Sequence, residues 1–174
     1  STEMIPSVID YLLQLPEAMH FAKVHELCSD GISSYRMLSD YGSGTFQLIE
    51  FENNLLLILI GDYKPKDTFE KITEISEDYM EISQFETDSS SFKRKRNQVD
   101  KGIYCYLNTQ KKTYTYCEGG KAVRFTKVIL SPQYFQTYFK LHDENNARLL
   151  SSARDYLLKN PNLPELNFVF QQIR

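Results

Sequence analysis

No run of apolar residues in this chain approaches the roughly 20 that a membrane-spanning helix needs. The longest, Leu55 to Ile60, has the length of a strand. The N-terminus, Ser1-Thr2-Glu3, carries neither a basic leader nor an extended apolar segment, so neither a secretion signal nor an anchor is expected, and without an initiator Met the chain reads as trimmed. Cysteine is sparse: Cys28, Cys105 and Cys117 are odd in number, far apart and without a CxxC pair. That usage argues against a disulfide scaffold and for a reducing compartment, the cytoplasm. Basic residues are not in excess either, 20 Lys and Arg facing 23 Asp and Glu for a net charge of −3. Duplex affinity draws on clustered cations that displace counterions, so these 174 residues are not expected to bind DNA by themselves.

Histidine is almost as scarce. A zinc or iron site on a β barrel needs several His and carboxylate side chains around one ion. Here His20 and His25 lie five apart in a helix or at its edge, and His142 sits far along the chain. No metal and no cofactor are expected. Nucleophile elbow, P-loop, dinucleotide fingerprint and His-Glu-x-x-His are all missing, so the expected function is non-catalytic. No internal repeat is present, and the one low-complexity stretch is Asp88 to Arg96, where three serines precede Lys93-Arg94-Lys95-Arg96. That run reads as a solvated loop or edge strand, or as a contact for an anionic ligand or an acidic partner.

What is present has the composition of a packed domain, 41% hydrophobic and 25% charged. Val8, Ile9, Leu12 and Leu13 give a short amphipathic helix between Pro6 and Leu15, with Pro16 as its stop. Strands are predicted at Thr45 to Phe51 and Asn54 to Ile60 about the turn Glu52-Asn53-Asn54, and at Tyr79 to Phe85, Gly102 to Leu107, Thr113 to Cys117 and Lys121 to Leu130. Glu118-Gly119-Gly120 lacks the spacing of a phosphate loop and joins two strands as a turn. Ser131-Pro132 ends the strand texture, and helices follow at Gln133 to Leu141 and Asn146 to Leu158, the latter stopped by Asn160-Pro161. Many short strands and then helices indicate an α+β chain, a β sandwich or barrel with helices packed at one end and a short N-terminal helix in front.

Two groups of residues invite a functional reading. Twelve residues are tyrosine, and Tyr104, Tyr106, Tyr114 and Tyr116 alternate on two neighbouring strands. Turned inward, they would line a ligand pocket with rings and hydroxyls. Ile103, Cys105 and Leu107 make the opposite face apolar too, so which face is the core stays open, as does plain cross-strand packing. On the last helix Leu149, Leu150, Ala153, Tyr156 and Leu157 form a stripe wide enough to pack a helix, either against a second copy or against the chain's own strands.

The order of segments from Tyr79 to Ile173 resembles the sensor domain of AraC-type transcription regulators. The likeness rests on the strands Tyr79-Met80-Glu81-Ile82-Ser83 and Val123 to Leu130, on the helix start Ser131-Pro132-Gln133-Tyr134-Phe135, and on the tail Asn160 to Ile173. It departs from the family midway, where Ser89-Ser90-Ser91 and the basic run replace a Gly-rich turn and a Pro-Gly step. The resemblance implies a cupin-like β barrel of jelly-roll type over 31–130, an N-terminal helical segment over 1–30, and a helical dimerisation and linker segment over 131–174. It also implies a homodimer, a small-molecule effector, and DNA contact only through a helix-turn-helix domain beyond Arg174. A cupin-type enzyme and a dimerisation module without ligand are the alternatives.

Overall fold

A computed structural model describes residues 3–86, 97–100, 103–109, 112–139 and 141–159, with backbone alone for 97–100. The chain is α+β, with mostly antiparallel sheets. The N-terminal part holds β1 (Glu3–Ile5), α1 (Val8–Ala18), β2 (Phe21–Lys23), β3 (Ile32–Met37), β4 (Gly42–Phe51) and β5 (Leu56–Pro65). Then come β6 (Phe69–Ile75), β7 (Tyr79–Phe85), β8 (Asn97–Asp100), β9 (Ile103–Asn108), β10 (Lys112–Cys117) and β11 (Val123–Leu130), followed by α2 (Pro132–Tyr138) and α3 (Asn146–Lys159).

Eight strands form one sheet in the order β2-β3-β4-β5-β11-β7-β9-β8, and β1-β6-β10 form a second, in which only the β1–β6 pair is parallel. Among the described residues the two sheets do not join into the closed barrel expected from the sequence. The helices also do not cap one end. Instead α2 and α3 lie along one face of the large sheet, where Phe135, Leu150, Ala153 and Leu157 pack on Ile58, Met80, Ile82, Ile103, Cys105, Val128 and Leu130. Period-2 alternation sends the neighbouring side chains of the same strands to the other face. There Phe46, Leu48, Leu57, Leu59, Tyr63, Phe85, Phe125 and Ile129 meet α1 and the small sheet in a second core.

The N-terminal helix belongs to that second core. Val8, Tyr11, Leu12 and Leu15 are buried, so α1 extends the layer that the small sheet begins. Ser7 accepts the Asp10 amide at 3.2 Å as N-cap, and Glu77 Oε2 accepts the Val8 amide at 2.8 Å. Pro16 does not end the helix: it sits in the last turn, buried, and the chain continues helical to Ala18. The segment 1–30 is also not helical alone, since it supplies β1 to one sheet and β2 to the other.

The turn Glu52-Asn53-Asn54 takes φ of 46°, 53° and 67°, a left-handed region that Asn tolerates better than most residues. Within the β10–β11 connection Gly120 takes φ 79° and the Lys121 amide donates to Glu118 O at 3.3 Å, so Glu118-Gly119-Gly120 is a turn, and the Gly120 amide ties it to Pro65 O of β5 at 2.7 Å. No helix among the described residues is long and apolar enough to cross a membrane.

Candidate functional site

Where the two layers face each other, a largely apolar lining is interrupted by two charges. Glu81 on β7, between Met80 and Ile82 of the helix-facing core, and Lys127 on β11, next to Val128 of that core, occupy inward positions. Their side chains are only 7% and 12% exposed, and Lys127 Nζ lies 3.9 Å from Glu81 Oε1. Ser83 Oγ donates to Glu81 Oε2 at 3.1 Å. The ammonium also sits 4.7 Å from the ring centre of Phe125 and 5.8 Å from that of Phe85, where the negative ring faces attract a cation. A charge pair held between aromatic rings thus faces the small sheet.

Beside it lies a cavity of about 60 Å³, bounded by Glu81, Lys127, Thr113, Thr115, Cys117 and the α1 residue Tyr11 among others. Tyr11 and Thr115 are joined through their hydroxyls, which ties α1 to β10 across the space. Tyr63 OH and Cys117 Sγ are 3.6 Å apart. Burial raises the Tyr63 phenol well above its ordinary value, and burial likewise raises the Cys117 thiol. Both stay protonated near neutrality, so these two groups offer hydrogen bonds and no charge. At one end Asn108 donates to Ile75 O at 3.2 Å and Glu77 O at 3.0 Å, and accepts from Thr113 Oγ1 at 3.3 Å.

The four tyrosines singled out from the sequence are not brought together. Tyr104 turns into the inner core beside Phe85, ring centres 6.3 Å apart, because Ile103 and Cys105 face the helices. Tyr106 shares that inward face by alternation. Tyr114 and Tyr116 stack on each other at 6.2 Å on the opposite face of β10 from the buried Thr113 and Cys117. Tyr114 borders the cavity, but its hydroxyl donates to Glu70 at 2.7 Å, which raises its pKa.

The stripe on α3 is taken up within the chain. Leu149, Leu150, Ala153 and Leu157 are buried, and of the five only Tyr156, 46% exposed, reaches solvent. Apolar residues at this spacing fit a sheet face as well as a second helix, and Leu150, Ala153 and Leu157 pack in one core with residues of the sheet. Cys28, Cys105 and Cys117 are free thiols, and among the described residues no three His, Cys, Asp or Glu side chains cluster as a metal site would require. The basic run Lys93 to Arg96 and the tail Asn160 to Ile173 lie outside the described residues.

Glu81 and Lys127 were missed in the sequence, although each left a mark there. Tyr79-Met80-Glu81-Ile82 and Phe125-Thr126-Lys127-Val128-Ile129 each set one charge among residues bound for a core. No family model, no curated protein and no solved structure matches the chain.

Proposed function

We propose that the chain is a non-catalytic ligand-sensing domain of the AraC type, in which the space between the sheets takes a small molecule. The observation that carries this reading is the Glu81–Lys127 pair. Withdrawing two charges from water costs several kcal/mol per ion, and apolar residues of similar volume are commonly as stable or more so. Stability alone therefore gives little reason to place both charges beside a cavity inside an apolar core, whereas recognition of a polar ligand does.

The strand pairing supports the finer reading of a jelly roll. β5 pairs with β11, β6 with β10 and β7 with β9, a nested set. In the large sheet these strands run β5-β11-β7-β9, while β6-β10 fall in the other. A long hairpin folded over into two sheets has this arrangement, as in double-sheet cupin-like folds. The resemblance of Tyr79 to Ile173 to AraC-type sensors adds the output: occupancy biases a helix-turn-helix domain beyond the chain, which contacts DNA for it, in a homodimer. A dimer so formed uses surfaces other than the buried α3 stripe.

The size of the cavity favours a second reading, a dimerisation module without ligand, because drug-sized molecules occupy roughly 300–1,000 Å³ against about 60 Å³ here. Native mass spectrometry of the chain after incubation with a concentrated cellular small-molecule extract separates the two. The sensor reading expects one bound species per chain in the wild type and none in Lys127→Met. A wild type that emerges bare from every extract contradicts it and leaves the module.

A further inference from the structure

Resting on the reading of the inner cavity as a ligand site, we infer that its ligand is a compact zwitterion, an amino acid of the smallest kind. Its ammonium would meet Glu81 and its carboxylate Lys127. Two observations narrow the choice to this class. The first is charge: the wall carries one carboxylate and one ammonium 3.9 Å apart, and the other polar groups on it are the hydroxyls of four tyrosines and two threonines and the Cys117 thiol. A ligand with a single charge leaves the enclosure with one charge in excess, and an uncompensated buried charge is strongly disfavoured. A ligand with both charges continues the alternation and lets each protein charge keep an opposite neighbour. Neutral polyols satisfy the same donors and acceptors with bonds of about half the strength that charged partners give.

The second observation is size. Against the roughly 300–1,000 Å³ of drug-sized pockets, a cavity of about 60 Å³ confines the ligand to the size range of the smallest zwitterions. Glycine, alanine and β-alanine fall in that range.

The test is calorimetric titration of the chain with glycine, L-alanine and β-alanine, set against acetate, methylamine and ethylene glycol. Binding by at least one zwitterion, weakened about tenfold or more when either ligand charge is deleted, is the expected result. Glu81→Gln should then shift the preference toward acetate and Lys127→Met toward methylamine, provided each variant still melts cooperatively. Acetate, methylamine or ethylene glycol binding as tightly as the best zwitterion overturns the ligand class, while sensitivity of that binding to Lys127→Met would keep the cavity as a ligand site. Silence from the whole panel overturns the inference, and the extract experiment then decides separately whether the cavity takes another ligand.

Discussion

Cys105 shows how the fold acts on a single side chain. It sits among the apolar residues under α2 and α3, and burial pushes its thiol up to about 12 from 9.0, with Arg154 and Glu81 adding smaller opposing effects. Because the folded value is the higher one, the protonated thiol contributes stability that is complete below pH 9 and lost as pH rises toward about 12. The melting temperature is expected to fall over that range, and to fall less steeply in Cys105→Val. Melts at about pH 8 and about pH 11 check this; equal slopes in the two proteins contradict it. The same burial protects the thiol from alkylation near neutrality, where half-buried Cys28 should react first.

At the scale of elements, the fate of α3 was decided by what it packs against. Leu150 is fully buried under the large sheet, so Leu150→Ala is expected to cost about 2–5 kcal/mol through a cavity in that core. The wild-type melting temperature should not depend on this contact forming between chains. The variant should therefore lose the same stability at every protein concentration, while Tyr156→Ala, at a position 46% exposed, should change it little. A stability loss that shrinks as protein concentration rises would place Leu150 in a dimer interface instead.

Strands with apolar alternation were legible in the sequence: Tyr79 to Phe85 is β7 residue for residue, β4, β9, β10 and β11 lie within a few positions of their predicted ends, and β5 was found but runs past Ile60 to Pro65, where Gly61, Asp62 and Lys64 break the apolar signal. Strand β6 was not, since Glu70, Lys71, Thr73 and Glu74 give it little apolar signal, and Ser33 and Ser34 mask β3 in the same way. Three-residue strands such as β1 and β2 are too short to show a period. β1 is held by β6, far along the chain, and β2 by the next strand, β3. The tyrosines were visible but their faces were not, because Ile103 and Cys105 compete with Tyr104 and Tyr106 for the inside, and only the sheet order decides between them.

For the whole molecule the large sheet is the shared wall. Strands β7 and β11 present Glu81 and Lys127 to the inner chamber, and Met80, Ile82, Val128 and Leu130 to the helices on the other side. A ligand that draws on the charged pair thus acts on strands that also form the seat of α2 and α3. Such a ligand shifts the helices only by binding one of their arrangements better than another.

If the Glu81–Lys127 pair is kept for binding rather than for folding, as proposed, the double variant Glu81→Leu/Lys127→Met should lose the ligand without losing stability. Removing Lys127 alone strands a buried carboxylate and is expected to cost about 3–5 kcal/mol. Removing both charges together should restore the melting temperature to the wild-type value or above, while native mass spectrometry finds no small molecule bound. A double variant that remains as unstable as the single one, or that folds and still carries the ligand, would contradict the account.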